Sequence, residues 1–361
     1  MKKKTLAVIG CVGIPSKYGG FETVAEYLTK QISDEYDLTV YCSACAYPGE
    51  RQDRFMGARL RYIHLKANGI QSILYDAVSM LDACFRGTDV FLILGVSGCL
   101  FLPVLRFFGC RRRIVTNIDG MEWRRNKWKY AARCFLKLSE NAAVCYSDSV
   151  IGDNKIITDY IESEYGKKGI LIEYGADHVF PVSPTPELLQ EFPETKDPYC
   201  FGVCRIEPEN NVQMILEAFQ SSTQTLLMVG NWGNSEYGRM LLEKYASSPN
   251  IHLLGPIYDE RKLNYLRGNC RLYMHGHSCG GTNPSLIEAM MLGRPIAAYD
   301  VNFNRETMEN RSFYFQTPDD IRPILALKES ELAEEGCIMS EIANRRYTWE
   351  RIAKLYCRSF N

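Results

Sequence analysis

Short apolar runs recur through the first half of the chain: TLAVIG, LTVYC, LRYIHL, VFLILG, RIVTNI and AAVCYS. Between them, apolar residues return every three or four positions, the spacing of one helix face. Runs this short, rich in Val, Ile and Leu and not alternating with polar residues, predict parallel strands covered by helices on both faces. Residues 1–180 therefore read as one doubly wound α/β domain. The pattern breaks at residues 179–198, VFPVSPTPELLQEFPETKDP, where five prolines stand among polar residues. Such a stretch suits neither a long helix nor a central strand, and a linker is expected at 181–198. The alternation then restarts with YCFGVC, a helix near Val212 to Gln220, TLLMVG, IHLLG, CRLYMHG, a helix from Pro284, and PIAAYD, predicting a second α/β domain over 199–345. In the last segment, 346–361, Trp349, Ile352, Leu355 and Tyr356 fall at helical spacing and predict a packed C-terminal helix. Two such domains in series predict a cleft between them, with ligands bound beyond the carboxyl ends of the strands.

Length supports two domains, because 361 residues exceed the ~250–300 at which a single core stops growing. The net charge is -1, which gives no basic footprint over the whole chain, and nucleic acid is not an expected partner. The charge is uneven. Residues 1–180 carry 24 Lys and Arg against 20 Asp and Glu, and residues 106–137 carry ten basic and two acidic residues, a composition suited to phosphates or an anionic membrane surface. The 14 cysteines are irregularly spaced and follow no secretory signal, so reduced thiols in a cytoplasm are expected. The longest uncharged stretch, 16 residues from Val90 to Leu105, is shorter than the roughly 20 that span a bilayer.

The segment HGHSCGGTNPSLIEAM, from His275 to Met290, offers three chemistries. His275, His277 and Cys279 alternate and could ligate a metal, but the glycines at 276, 280 and 281 disfavour a regular extended segment, and no metal is expected. Gly276 to Gly280 matches G-x-S-x-G, yet an α/β-hydrolase places its histidine after the serine, and the last histidine of this chain is His277. The third chemistry is an anion cradle. Gly280, Gly281 and Thr282 would present backbone N–H groups, Asn283 would cap a helix opened by Pro284, and Glu288 one turn on could accept from sugar hydroxyls. A capped helix with an exposed glutamate is the plain alternative.

Three further segments bear on the choice. VCRIEPENN places Arg205 just after a strand, where a guanidinium suits diphosphate oxygens. GCVGIPSKYGGFE follows the first strand; its glycines, Gly19 and Gly20 among them, allow backbone to approach a ligand, or simply make a turn. NIDGMEW sets Asn117, Asp119 and Glu122 at a strand end, where Asp119 could take a proton or cap a helix. In WRRNKWKYAARCFLKL, Arg125, Lys129, Arg133 and Lys137 recur every four residues and predict one cationic helical stripe for an acceptor or membrane surface, with Trp128, Ala131, Phe135 and Leu138 turned to the core.

These segments together resemble a known family. HGHSCGGTNPSLIEAMMLGRPIAAYD resembles the donor-site signature of retaining family 4 glycosyltransferases of GT-B fold, with two Rossmann-like domains, and VCRIEPENN and YGGFET resemble their arginine motif and N-terminal glycine loop. With NIDGMEWRRNKW, the pattern is similar to bacterial rhamnosyltransferases of capsule and cell-wall polysaccharide. The resemblance implies a nucleotide-sugar donor, dTDP-L-rhamnose, a polyprenyl-diphosphate-linked saccharide acceptor, attachment to the inner face of a membrane, and no metal or other cofactor. It implies that Glu288 holds the ribose, that Gly19, Gly20, Gly280, Gly281, Thr282 and Asn283 contact the donor, that Arg205 stabilises the leaving diphosphate, and that Asp119 lies beside the reacting sugar. Two positions depart from the family pattern: a carboxylate usual eight residues before Glu288 is Gly280, and a lysine usual five residues after Arg205 is Asn210. Lys17 is a candidate to supply the missing cation. A nucleotide-sugar 2-epimerase of the same fold and a non-catalytic nucleotide-sugar binder are the alternatives.

Overall fold

The computed structural model describes residues 3–16, 19–49, 51–125 and 128–361. They group into two compact units, one running to Tyr174 and resuming at Trp349–Asn361, the other Gly175–Thr348. The first is built on a sheet of β1 (Lys4–Ile9), β2 (Tyr36–Ser43), β3 (Arg54–Phe55), β4 (Ala58–Ile63), β5 (Val90–Leu94), β6 (Arg113–Asn117), β7 (Ser149–Gly152) and β8 (Ile170–Leu171). Its order is β3-β4-β2-β1-β5-β6-β7-β8, parallel except for the β3–β4 pair. Every residue of β5 is buried, as expected of a central parallel strand with helices on both faces. The covering helices are α1 (Gly20–Ile32), α2 (Gln71–Phe85), α3 (Leu102–Phe107), α4 (Tyr130–Tyr146) and α5 (Lys155–Tyr165).

The second unit holds β9 (Tyr199–Val203), β10 (Thr225–Val229), β11 (Ile251–Leu254), β12 (Leu272–His275), β13 (Ile296–Tyr299) and β14 (Phe313–Phe315), all parallel, in the order β11-β10-β9-β12-β13-β14. Its helices are α6 (Pro186–Glu191), α7 (Val212–Gln220), α8 (Glu236–Tyr245), α9 (Glu260–Gly268), α10 (Pro284–Met291), α11 (Asn302–Thr307), α12 (Pro318–Leu325) and α13 (Glu329–Arg346). The proline-rich residues 181–198 contain α6, which opens on Pro186 and is capped by the Thr185 side chain, where proline costs no hydrogen bond. The C-terminal helix α14 (Trp349–Ser359) buries Trp349, Ile352 and Tyr356 and belongs to the first unit, where Trp349 stacks on Tyr27 of α1 at 4.8 Å.

Two expectations are corrected. AAVCYS is not a strand: it forms the last turns of α4, and β7 begins at Ser149 after a break. Ala142, Ala143 and Val144 are buried against the unit's interior, which explains their apolar run without a sheet. The helix expected from Trp123 begins only at Tyr130, after a 3-10 turn over Glu122–Arg124. Among the described residues no helix is long and apolar enough to cross a membrane.

Candidate functional site

In the second unit, two loops leave the carboxyl ends of neighbouring strands β9 and β12 and are tied together. Ser278 donates from both its backbone N–H and its hydroxyl to the Glu209 carbonyl, at 3.1 and 2.8 Å, and the Asn211 amide donates to the Gly276 carbonyl at 2.9 Å. The approach is so close at Gly276 that a Cβ would stand 2.0 Å from the Asn210 carbonyl oxygen. Asn210 is buried, and its amide donates to the Arg205 carbonyl at 2.7 Å. The position where the family pattern has lysine is thus used to fix the backbone that carries Arg205. The Arg205 side chain is exposed and forms no ion pair among the described residues.

The β12 loop runs through Gly280, at φ 116°, into α10, whose cap is Asn283, accepting from the Ser285 N–H at 3.0 Å, with Pro284 in the first turn. Among the described residues the N–H groups of Gly280 and Gly281 have no hydrogen-bond partner. Thr282 is buried beside them. Two donors uncommitted among the described residues, ahead of a helix N-terminus and with Arg205 on the neighbouring loop, make a donor-rich surface suited to phosphate oxygens.

Glu288 is not a lone exposed carboxylate. Its Oε2 lies 2.7 Å from Arg267 Nη2 of α9, and its Oε1 lies 3.3 Å from His178 Nε2. Burial alone would raise its pKa, but the Arg267 guanidinium and the His178 hydrogen bond outweigh burial and hold it below the ordinary glutamate range. It therefore stands ionised with lone pairs still able to accept. Arg267 and His178 were not expected from the sequence: Arg267 is one of several charged residues in ERKLNYLRG, and its burial to 4 % exposure is seen only in the structure.

The competing chemistries lose their geometry. The rings of His275 and His277 stack at 4.5 Å, 14° from parallel, and so do not converge on a point. Burial, then His277, pushes His275 well below its ordinary pKa, so it is a neutral ring packed near Tyr273. Among the described residues no group of three His, Cys, Asp or Glu side chains could hold a metal. Ser278 donates its hydroxyl proton to the Glu209 backbone carbonyl and not to a side-chain base.

In the first unit the glycine loop after β1 is held from several sides. Glu22 Oε1 accepts from Val12 N–H at 2.6 Å, Glu26 accepts from Ser16 N–H at 2.5 Å, and the hydroxyls of Tyr75 and Tyr47 donate to the carbonyls of Cys11 and Pro15, each at 3.0 Å. Gly10, at φ 95°, leaves no room for a side chain: a Cβ would stand 2.1 Å from the Leu94 carbonyl oxygen. Gly19 and Gly20 open α1, Gly19 at φ 126° and without a side-chain cap. Lys17 lies outside the described residues. At the end of β6, Asp119 has φ 62°, and its N–H donates to Asn117 Oδ1 at 3.0 Å, while Asn117 Nδ2 donates to the Tyr356 hydroxyl of α14 at 3.0 Å. The N-cap position of the 3-10 turn that follows is Met121, two residues beyond Asp119, and no side chain caps it. A non-glycine residue in the left-handed region costs ~1–3 kcal/mol, and such residues cluster at functional sites.

The expected cationic stripe is corrected. Arg125 follows the 3-10 turn and pairs with Glu122 at 3.1 Å, Lys129 precedes α4 as its cap residue, and only Arg133 and Lys137 lie in the helix. Asn126 and Lys127, inside the same segment, lie outside the described residues. Lys137 turns inward. It bonds Tyr160, pairs with Glu164 at 2.8 Å and with buried Glu140 at 3.4 Å, and sits over the rings of Trp123 and Tyr165. Conversely Ala131 and Leu138, expected in the core, face solvent.

Residues 3–177 match the family model described as Domain of unknown function (DUF1972), and residues 186–328 match that of Glycosyl transferases group 1. No curated protein matches the chain by sequence. Solved structures share its fold along its whole length. Sucrose-phosphate synthase (tll1590) from Thermosynechococcus elongatus matches with a TM-score of 0.80 at 15% identity, over 99% of both chains. Anabaena Alr3699/HepE in complex with UDP matches at 0.75 and 15%, again over 99% of both. The catalytic domain of starch synthase IV from Arabidopsis thaliana, bound to ADP and acarbose, matches at 0.71 and 12%, over 100% of both.

Proposed function

We propose that this chain, a glycosyltransferase of GT-B fold with a group 1 domain at residues 186–328, moves L-rhamnose from dTDP-L-rhamnose to a polyprenyl-diphosphate-linked saccharide in surface-polysaccharide synthesis, with retention and without a metal. The observation that carries the donor half is the pair of tied loops after β9 and β12: Arg205 without an ion pair and the N–H groups of Gly280 and Gly281 uncommitted among the described residues, and the capped α10. In this reading the diphosphate lies on those donors, so that the charge growing on the leaving group meets groups already in place. Glu288, kept ionised by Arg267, accepts from the ribose hydroxyls. Complexes of Alr3699/HepE with UDP and with UDP-glucose support a nucleotide-sugar ligand on this fold.

The sugar and acceptor rest on the resemblance of the YGGFET, NIDGMEWRRNKW and HGHSCGG segments. A glycine at 280 removes one carboxylate that would accept from a sugar hydroxyl, which suits a 6-deoxy sugar with one hydroxyl fewer. Asp119, held in its left-handed conformation, acts beside the reacting sugar, and in retention the incoming hydroxyl approaches from the face the diphosphate leaves. The DUF1972 region carries the acceptor, and the protein works at the cytoplasmic face of a membrane as a peripheral enzyme.

Turnover of a panel of dTDP- and UDP-sugars with a polyprenyl-diphosphate saccharide tests this. The expected result is product from dTDP-L-rhamnose, lowered about a hundredfold or more in Arg205→Ala. Failure of every donor overturns the transferase reading. Deuterium entering the sugar from solvent without acceptor would indicate an epimerase, and tight donor binding without nucleotide release a binder.

A further inference from the structure

Three phenylalanines in adjacent turns of the first unit are left almost wholly in water. Phe85 at the end of α2 is 87% exposed, and Phe107 and Phe108 at the end of α3 are 85% and 81% exposed. Phe107 and Phe108 lie edge to face at 5.5 Å. The two helix ends are neighbours: a Cβ on Gly87 would stand 3.6 Å from Arg112 Nη2, and Arg112 reaches Asp89 at 3.8 Å. Apolar exposure continues up both helices. On α2, Leu74, Val78 and Leu81 precede Phe85 at helical spacing and are exposed with it, and Val104 is exposed one turn before Phe107. This face is solvent-side, whereas the buried residues of α2 (Tyr75, Ser79, Met80, Ala83) make the ordinary core contact.

Among the charges flanking these rings, Arg86, Arg111 and Arg112 outnumber Asp82 and Asp89. Arg86 follows Phe85, and Arg111 and Arg112 follow Phe108, with no acidic residue between Leu105 and Ile118. Arg86 and Arg112 have partners in Asp82 and Asp89, but Arg111 is exposed and forms no ion pair among the described residues. Two copies joined symmetrically through this patch would bring Arg111 towards Arg111 across the axis, which opposes self-association. A bilayer surface with anionic headgroups offers both halves of the complement, phosphate oxygens for the guanidinium groups and acyl chains for the rings.

We infer that the ends of α2 and α3, with Phe85, Phe107, Phe108 and Arg111, form the face by which the protein docks on an anionic lipid bilayer. The inference rests on the peripheral membrane association proposed above and gives it a place on α2 and α3. Sugar transfer does not enter its test, so the two readings can fail separately.

The test is sedimentation of the full-length protein, without donor or acceptor, with vesicles of phosphatidylcholine and phosphatidylglycerol and with phosphatidylcholine alone. The wild type should bind the mixed vesicles. The triple variant Phe85→Ser, Phe107→Ser, Phe108→Ser should lose at least about tenfold in partitioning, with an unchanged melting temperature because all three rings are exposed. Arg111→Glu should lose binding mainly on the mixed vesicles, by about fivefold or more per charge removed. Failure of the wild type to bind, or equal binding by the triple variant, overturns the inference. So does a wild-type dimer that the triple variant turns into monomers without vesicle binding, which would assign the face to a second copy.

Discussion

Replacing Arg267 by methionine would leave the Glu288 carboxylate buried with His178 as its remaining partner. Arg267 is 4 % exposed and Glu288 17 % exposed, so water can do little to replace the lost guanidinium at 2.7 Å. Breaking such a pair from one side costs ~3–5 kcal/mol, and the lower end fits here because His178 stays. At ~3 kcal/mol the melting midpoint of a unit of this size should fall by about 6–12 °C. The pH dependence has a definite sign. In the wild type the folded pKa of Glu288 is held below the ordinary 4.5, so its contribution is complete above 4.5 and is lost as pH falls through the folded value. In the variant, burial acts without Arg267 and raises the pKa above 4.5, so the penalty is present at neutral pH and is relieved as pH falls through that raised value. Scanning calorimetry of both proteins from neutral to acid pH should therefore show a deficit that narrows on acidification. A deficit below about 2 °C at neutral pH, or one that stays constant with pH, would refute the reasoning. The same variant should raise the donor KM, since the Glu288 carboxylate would lose the guanidinium that holds it in place.

Asn210→Leu removes the amide that holds the Arg205 carbonyl at 2.7 Å and should cost ~1–3 kcal/mol in chemical denaturation, with a raised donor KM; an unchanged midpoint would mean the loop needs no such tie. Gly280→Glu, which puts a carboxylate where the pattern it resembles has one, and Gly280→Ala should each cost about 1–2 kcal/mol, because φ is 116° and no atom lies within 4 Å of the new Cβ; unequal losses in denaturation would show that side-chain contacts, not backbone, decide. Lys137→Met strips the cation from buried Glu140, which would keep the hydroxyls of Tyr160 and Tyr165 at 2.5 and 2.6 Å. It should destabilise the protein by ~2–4 kcal/mol while leaving vesicle binding unchanged, and a selective loss of vesicle binding would return Lys137 to the surface.

Central strands were legible because burial on both faces leaves an uninterrupted apolar run, as in VFLIL and TLLMV. The same signal failed at AAVCYS, because a helix pressed into the unit's interior can bury three consecutive small residues, and a six-residue window holds too little of the helical period to tell the two apart. The glycine-to-helix turn at 280–284 could be read locally, since cap, proline and glycine are neighbours in sequence. Arg267 and His178 could not: they reach Glu288 from α9 and from the segment entering the second unit, and no local rule links residues so far apart. Lys137 misled for the opposite reason. Its spacing suited an outward stripe, but Glu140, Glu164 and three aromatic rings give it a better place inside.

The return of the chain to its first unit has a consequence for how the protein is made. Trp349 stacks on Tyr27, Tyr356 accepts from Asn117, and the Ser359 carbonyl accepts from Arg113 at 3.0 and 3.2 Å. On the ribosome these partners emerge only after the whole of Gly175–Thr348 has been translated, so the first unit to be synthesised is the last to be completed. Until then the α1 face that Trp349 covers, and the Asn117 amide that positions Asp119, wait without their partners. A chain released after residue 348 should accordingly expose its N-terminal unit to protease while the second unit has all of its own residues.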